Sequence, residues 1–207
     1  MQRRTTLKAL AATAALVASP LLFAQSDYQL VKPPQPGGAP GTVEVIEFFS
    51  FGCGHCRSFE PAVNKWAEAQ PQDVVFRKVP VSFGDPSLQP LTRMYYTLEA
   101  MGLAKKLGPA IFEAVQVQRL RLSREDVRND WLAKQGVDLK KFNDTWRSSF
   151  SVDSQTKRAD QLTTAYKIMG VPSMAINGKY IIEGAGAQTL ATTDRLIAQE
   201  RAAATKK

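Results

Sequence analysis

The sequence has few of the side chains that bind metal ions. Its 207 residues include two cysteines, Cys53 and Cys56, and one histidine, His55, which lies between them. A structural zinc site needs four ligands from cysteine, histidine or carboxylate side chains. Two cysteines and a histidine held between them do not supply a tetrahedral set within one chain. We therefore expect neither a metal nor another cofactor.

Long hydrophobic runs are also absent beyond the N-terminal segment, since no later stretch reaches the roughly 20 apolar residues of a spanning helix. The N-terminus has Arg3, Arg4 and Lys8, followed by a short apolar segment at 9–18. As a helix this segment would span only ~15 Å, but it is typical of a secretory signal. The sequence therefore predicts a signal peptide over 1–24, and the paired arginines leave both ordinary secretion and twin-arginine export open.

Acidic residues are outnumbered, with 19 aspartates and glutamates against 27 lysines and arginines, for a formal net charge of +8. Removal of residues 1–24 takes away three of the positive charges and no negative charge, which leaves +5. This mild excess is not clustered, so it does not favour nucleic-acid binding. We expect a soluble exported protein that binds no nucleic acid.

The first part of the remaining chain has the pattern strand, helix, strand. Residues 25–41 are rich in proline and glycine and predict an extended lead-in without regular structure. The β-branched and aromatic run at 42–50 predicts a buried central strand, and a second strand is predicted over 74–83. Between them, apolar residues recur at helical spacing over 53–68, which predicts a helix.

The pattern then changes to helices and returns to strands. Five helices are predicted over 88–100, 103–118, 123–135, 138–149 and 153–169. Asn177 and Gly178 stand between apolar runs at 173–176 and 179–182, and both residues tolerate the positive φ of a tight hairpin turn. A last helix is predicted over 189–203. This order predicts an α/β fold with one sheet, in which a helical block is inserted between the two halves.

The spacing C-x-x-C leaves a structural and a chemical role open for Cys53 and Cys56. A disulfide between them would close a four-residue loop and stabilise the fold by only roughly 2 kcal/mol through chain entropy. At the start of a helix, in contrast, backbone N–H groups and the helix dipole favour the thiolate of the first cysteine. The thiolate is the species that exchanges with disulfides. The position of the pair therefore favours redox chemistry over a structural staple.

The position of each residue also predicts its part in the exchange. Cys53, nearest to the helix N-terminus, is expected to be the exposed nucleophile. Cys56, one turn later, is expected to be buried and to resolve the mixed disulfide that Cys53 forms with a substrate. His55, when protonated, would add a positive charge that favours the thiolate; the alternative is a solvated helix residue without function.

Three segments together resemble the DsbA family of bacterial thiol–disulfide interchange proteins: EFFSFGCGHCRSFEP at 47–61, VPVSF at 79–83 and GVPSMAINGKY at 170–180. The resemblance covers nearly all of the chain after the signal peptide. It implies a thioredoxin fold with an inserted all-helical domain. The expected limits are 25–85 for the first part of the thioredoxin-like domain, 86–159 for the helical domain and 160–207 for the second part.

The resemblance also implies roles for particular residues around the active site. Cys53 and Cys56 would alternate between a dithiol and a disulfide. Val171 and Pro172 match the family's cis-proline loop, in which the backbone of Val171 is presented to an extended substrate chain. Such a proline also brings no backbone N–H of its own beside the sulfur atoms.

Two further residues, Glu47 and Lys78, match a buried acid beneath the family's active site and a basic residue near it. A carboxylate inside an apolar strand is expected to have a raised pKa. Glu47 would then carry protons to and from Cys56. The alternative is that Glu47 faces solvent at a strand edge.

One position departs from the family pattern. The best-known member has proline where this chain has Gly54, and the dipeptide Gly54–His55 also occurs in the eukaryotic disulfide isomerases. Since the inner dipeptide tunes the thiolate, we expect Gly54 and His55 to set the strength of the oxidant. The departure leaves open whether this oxidant is milder than the strongest members of the family.

The implied function is that of a thiol–disulfide oxidoreductase that donates its disulfide to newly exported proteins in the periplasm of a Gram-negative bacterium. Its implied partners are reduced substrate proteins and a quinone-linked membrane reoxidase of the DsbB type, and a monomer is expected. A disulfide isomerase or reductase, or a non-catalytic peptide-binding chaperone, stays open as an alternative. Phe51, Val171 and Met174 are either part of a shared docking patch or ordinary core.

Overall fold

A computed structural model describes residues 27–204, so the signal peptide predicted over 1–24 lies outside the described residues. Within them, five strands form one sheet: β1 (Gln29–Leu30), β2 (Val43–Phe49), β3 (Val74–Pro80), β4 (Ser173–Ile176) and β5 (Tyr180–Glu183). The same residues form seven helices: α1 (Gly54–Glu68), α2 (Gln89–Ala100), α3 (Ala104–Gln116), α4 (Glu125–Lys134), α5 (Leu139–Ser148), α6 (Phe150–Ala165) and α7 (Ala187–Ala204).

The sheet has the strand order β1-β5-β4-β2-β3, with β2 inside it. β2 pairs in parallel with β3, and α1 makes the crossover between them. On its other side β2 pairs antiparallel with β4, which continues into β5 through a tight hairpin. Asn177 and Gly178 have φ values of 48° and 71° in that turn, as the Asn-Gly pair predicts. The predicted α/β fold, with helices α2 to α6 inserted between β3 and β4, is confirmed.

The two faces of β2 pack against different helices because its side chains alternate in direction. Val43 and Val45 belong to a core formed with α1 and α7. Ile46 and Phe48 belong to the larger core, which continues into the inserted helices. Glu47 therefore shares its face of the sheet with Val43 and Val45, which places its side chain on the α1 side.

The proline-rich lead-in corrects one prediction. The segment 25–41 was expected to have no regular structure, but Gln29 and Leu30 form β1, which pairs antiparallel with Ile181 and Tyr180 of β5. Both residues of β1 are exposed, so the strand leaves no alternating pattern in the sequence. Its register is fixed by the hairpin edge on which it lies.

Several predicted element ends also shift. β3 ends at Pro80, where the prediction extended to 83. α6 begins at Phe150, because the Ser149 side chain caps it by accepting a hydrogen bond from the backbone N–H of Val152 at 3.2 Å. It ends at Ala165, where the prediction extended to 169. Of the helices within 27–204, none is long and apolar enough to cross a membrane.

Candidate active site

The cysteine pair lies where β2 passes into α1. A turn closed by the Cys53 N–H and the Ser50 carbonyl, at 3.0 Å, follows the end of β2. Cys53 is the N-cap of α1, and its sulfur accepts a hydrogen bond from the Cys56 N–H at 3.3 Å. Cys53 is partly exposed, whereas Cys56 is fully buried in the first turn. The first sulfur is thus the one that an incoming sulfur atom can reach.

A second backbone group approaches the Cys53 sulfur from the loop before β4. The thiol donates to the carbonyl oxygen of Val171 at 3.2 Å, and the Val171–Pro172 peptide bond is cis. Val171 is half-buried and Pro172 is buried. Both cysteines are free thiols, which is the reduced state of the predicted pair. Cys53 is therefore held between a carbonyl on one side and the start of α1 on the other.

Cys56 has a strongly perturbed thiol. Burial raises its pKa, the contact with the Cys53 sulfur raises it further, and the charge of Glu47 adds to the effect. A thiol of this kind is protonated at neutral pH. When Cys56 leaves a disulfide as a thiolate, it will therefore take up a proton, and a nearby proton donor would assist that step.

Glu47 lies at the centre of the sheet, paired with Lys78 on β3 and with Met174 on β4. Its side chain is fully buried, so it does not face solvent at a strand edge. Burial raises its pKa to about 7, although the nearby charge of Lys78 acts in the opposite direction. At neutral pH this carboxyl group can either donate or accept a proton.

Lys78 links Glu47 to a second carboxylate. Its Nζ lies 3.1 Å from Oε2 of Glu47 and 2.5 Å from Oε2 of Glu60 on α1. Glu60 is buried, and its other oxygen accepts a hydrogen bond from Asn64 Nδ2 at 3.0 Å. Glu60 and Lys78 also line a cavity of about 530 Å³ that opens to solvent. Lys78 and Glu60 thus connect the buried Glu47 to the cavity that opens to solvent.

Sequence reasoning missed Glu60, although the sequence holds a signal for it. Glu60 lies four residues after Cys56, and residues i and i+4 of a helix lie on the same face. A carboxylate on the face of the buried cysteine is therefore expected to be buried as well, and to need a cationic partner. Lys78 provides that partner.

The inner dipeptide lies on the surface, since Gly54 and His55 are both exposed. Gln116, at the end of α3, reaches the same loop from the inserted helices. Its Nε2 donates to the carbonyl oxygens of Phe51 at 2.8 Å and of Cys53 at 3.0 Å. Nothing local in the sequence marks this residue, because its partners lie more than sixty residues earlier in the chain.

Of the two alternatives for Phe51, Val171 and Met174, a docking patch or ordinary core, the structure supports ordinary core for two of the three residues. Phe51 is 2% exposed and Met174 is 0% exposed. Phe51 packs against Phe112, with the ring centroids 4.9 Å apart, and Met174 lies inside the sheet beside Glu47. Phe51 and Met174 are core residues, whereas Val171 lies at the rim of the site.

Known proteins share this architecture. The model of the DSBA-like thioredoxin domain family matches residues 44–198. The thiol:disulfide interchange protein DsbA of Bordetella parapertussis is 41% identical over 209 residues, covering 95% of this chain and 98% of that protein. Its counterpart from Pseudomonas aeruginosa is 39% identical over 187 residues, covering 88% of each.

Solved structures agree with the sequence matches. The crystal structure of Pseudomonas aeruginosa DsbA has a TM-score of 0.81 at 39% identity, covering 86% of this chain and 94% of that chain. The reduced DsbA1 of Neisseria meningitidis has a TM-score of 0.78 at 27% identity, covering 90% of this chain and 98% of that chain. The predicted thioredoxin-like fold with a helical insertion is thereby confirmed, and so is thiol–disulfide oxidoreductase activity. The chain belongs to the DsbA family of thiol:disulfide interchange proteins.

Proposed function

We propose that this oxidoreductase works as a disulfide donor, with Cys53 and Cys56 as its catalytic pair. The observation that carries the proposal is the unequal setting of the two sulfur atoms. Cys53 is partly exposed at the N-cap of α1, where the helix dipole favours a thiolate. Cys56 is buried, and burial raises its pKa. Stabilising the Cys53 thiolate favours the dithiol form, and a pair that favours this form gives its disulfide away.

The reaction proceeds in two exchanges. A substrate thiolate attacks the Cys53 sulfur of the Cys53–Cys56 disulfide, which forms a mixed disulfide and releases Cys56 as a thiolate that takes up a proton. A second substrate thiolate then attacks the substrate sulfur of the mixed disulfide and releases Cys53 as a thiolate. The substrate loses two electrons and gains a disulfide, and the enzyme gains the two electrons as a dithiol.

The proton for Cys56 comes from Glu47 in this proposal. Its pKa of about 7 leaves a large share of the molecules with a protonated carboxyl group at neutral pH. Lys78, within 3.1 Å of Glu47, holds the ionised form after the transfer. Glu60 and the adjoining cavity provide the route by which the carboxylate regains a proton from solvent. Glu47 and Lys78 thus control the protonation of Cys56, the buried cysteine of the pair.

The substrate chain binds next to the exposed half. In the dithiol form the Val171 carbonyl accepts the Cys53 S–H, and disulfide formation frees that carbonyl for the backbone N–H of an extended substrate. Pro172 adds no competing backbone donor. Gly54 and His55 are exposed beside Cys53 and tune its thiolate, with protonated His55 contributing a positive charge.

The cellular setting follows from the chemistry. A donor that has been reduced must be reoxidised, and we propose a quinone-linked membrane partner of the DsbB type. We further propose that reduced exported proteins are the substrates and that the monomer acts in the periplasm of a Gram-negative bacterium. The predicted N-terminal signal and the match to DsbA proteins support this setting.

Oxidation of a reduced, unfolded disulfide protein by stoichiometric amounts of the oxidised enzyme tests the donor role. We expect the wild type to restore the substrate's activity while its own pair becomes reduced, and the Cys53→Ser/Cys56→Ser variant to restore none. Equal yields with both would contradict the proposal and favour a peptide-binding chaperone. Incubated instead with an oxidised disulfide protein, the Cys56→Ser variant should accumulate a mixed disulfide, because its Cys53 thiolate attacks the substrate disulfide and no Cys56 thiol is present to displace the substrate from Cys53. The Cys53→Ser variant should not.

A further inference from the structure

The inserted helices contact the turn at residues 50–53, the active-site turn, through the side chain of Gln116. The carboxamide Nε2 donates to the carbonyl oxygens of Phe51 at 2.8 Å and of Cys53 at 3.0 Å. Both carbonyls belong to the turn that carries the reactive sulfur. Gln116 is half-buried and is the last residue of α3. One amide group therefore ties the helical insertion to the backbone on either side of Gly52.

The packing of α3 on α1 brings Gln116 to this place. Arg57 on α1 pairs with Glu113 on α3 at 3.6 Å. Farther along, Gly108 of α3 lies so close to α1 that a Cβ there would meet a carboxylate oxygen of Glu60 at 3.2 Å. The C-terminal turn of α3 thus lies beside the N-terminal turn of α1. A Cβ built on Gly54 would lie 4.0 Å from Oε1 of Gln116, so the amide lies against the inner dipeptide.

We propose that Gln116 is a positioning residue that favours the dithiol form of the cysteine pair and so makes its disulfide a stronger oxidant. This inference deepens the donor role proposed above and rests on it. It assigns the helical insertion a part in the chemistry, since the insertion supplies a group that acts on the turn bearing Cys53.

The first contribution of Gln116 is geometric. The Cys53 carbonyl already accepts the Arg57 N–H at 3.1 Å as the first hydrogen bond of α1, and the Gln116 amide gives it a second donor. The amide also gives a donor to the Phe51 carbonyl. Together these bonds fix the turn in which the Cys53 sulfur lies 3.3 Å from the Cys56 nitrogen. A sulfur held there receives the backbone N–H that stabilises a thiolate.

The second contribution is electrostatic. Carbonyl oxygens carry partial negative charge, and two of them lie on the turn where Cys53 acquires a full negative charge. The amide hydrogens of Gln116 carry partial positive charge and offset both oxygens. Without them the thiolate is less favourable, so the dithiol loses stability relative to the disulfide and the pair becomes a weaker oxidant.

The test compares the redox equilibrium of variants in glutathione buffers at pH 7. Gln116→Met keeps the length of the side chain but removes both donors, and we expect the equilibrium to move about fivefold toward the disulfide. Gln116→Glu keeps the shape but brings a negative charge, and we expect a larger move, about tenfold or more. In both variants the pH midpoint of Cys53 thiolate formation, followed by absorbance at 240 nm, should rise.

Gln118 provides the matched control. It lies two residues later, is exposed, and makes no side-chain hydrogen bond to the active-site turn. We expect Gln118→Met to have the wild-type equilibrium and midpoint. Should Gln116→Met fail to fold, the nearly isosteric Gln116→Glu carries the test.

A merely structural role gives a different result. If Gln116 only holds the insertion in place, its loss lowers the stability of the reduced and oxidised proteins equally and leaves the equilibrium unchanged. Unfolding of both forms in urea distinguishes the two cases, and an unchanged equilibrium in both Gln116 variants overturns the inference. The equilibrium constant of the wild-type pair with glutathione decides the donor role. The ratio of the variant's equilibrium constant to that of the wild type decides the role of Gln116.

Discussion

Two buried carboxylates, one beneath the cysteine pair and one beside the β4–β5 hairpin, differ in the hydrogen-bond donors around them. Glu200, on α7 beside the β4–β5 hairpin, is 5% exposed, and Glu47, beneath the cysteine pair, is 0% exposed. Glu200 accepts hydrogen bonds from Asn177 Nδ2 and Lys179 Nζ, both at 2.6 Å, and from the Tyr180 hydroxyl at 3.3 Å. Burial acts to raise its pKa, but these donors outweigh burial and hold the pKa below its usual range.

Glu47 has fewer hydrogen-bond donors around it. Among residues 27–204, its ion-pair partner is Lys78, whose Nζ lies 3.1 Å from Oε2 of Glu47 and is shared with Glu60. Burial consequently raises its pKa to about 7. Burial alone therefore does not fix the charge of a carboxyl group. A buried carboxyl group with several hydrogen-bond donors around it stays ionised, whereas one with few donors can exchange a proton near neutral pH.

The largest effect we expect is a gain in stability from Glu47→Gln. The folded-state pKa of about 7 lies above the ordinary value of 4.5 for a glutamate, so the protonated acid favours the fold and stability is lost as the pH rises from 4.5 through 7. At pH 8 the neutral amide avoids this loss, and the variant should be more stable by up to about 3 kcal/mol. Urea unfolding of the reduced proteins measures the difference.

The same comparison at low pH is the control for that gain. Below pH 4.5 both proteins carry a neutral group at this position, so the advantage of the variant should disappear. Lys78 keeps Glu60 as its ion-pair partner at 2.5 Å, so the substitution does not leave a buried cation without a counter-charge. A variant that is less stable at pH 8, or equally more stable at both pH values, would contradict the account.

The second effect concerns the rate at which a small thiol reduces the oxidised pair. Glu47→Gln removes the proton donor proposed for the departing Cys56 thiolate, and we expect reduction to slow by about tenfold to a hundredfold at pH 6. The ratio of wild-type to variant rates should fall toward pH 8, since Glu47 ionises near pH 7. Quenching the reaction by alkylation measures the rates. Equal rates throughout pH 5–8 would exclude Glu47 as the donor.

The smallest effect we expect comes from the same substitution at the other carboxylate. Glu200→Gln replaces charge-assisted hydrogen bonds by weaker ones, and because Lys179 is half-exposed we expect a loss of only about 1 kcal/mol at pH 7. The folded-state pKa of Glu200 is lowered, so its contribution is present above the unfolded pKa and is lost on acidification. Urea unfolding at pH 7 and pH 3 should show this decline. If Glu200→Gln also changed the rate at which a small thiol reduces the oxidised pair, the effect of Glu47→Gln on that rate would not be specific to Glu47.

Local rules account for the parts of the molecule that the sequence predicts well. A buried strand followed by C-x-x-C and a helix places Cys53 at an N-cap, because the first turn of a helix needs acceptors for its N–H groups. The β-branched and aromatic run at 42–50 predicts the buried strand that carries Glu47, and Asn177–Gly178 predicts the β4–β5 hairpin. In each case the signal and its consequence lie within a few residues.

Packing between distant segments decides the parts that the sequence does not predict. Gln116 contacts the catalytic turn only because α3 packs on α1, and β1 forms only because the β5 edge lies beside the lead-in. Phe51 lies close to Cys53 in the sequence and Met174 lies close to Pro172, but both side chains face the interior. An apolar residue beside an active site has the same sequence pattern whether it packs inward or outward.

The redox equilibrium of the wild-type protein in glutathione buffers is the direct test of the disulfide-donor role. Alkylation of the free thiols after equilibration gives the fraction of the Cys53–Cys56 pair that is reduced at each ratio of reduced to oxidised glutathione. If the protein is a disulfide donor, we expect the pair to be largely reduced already in a mainly oxidised buffer, because the dithiol of a donor is more stable than its disulfide. A pair that stays oxidised until the buffer is strongly reducing would contradict the donor role.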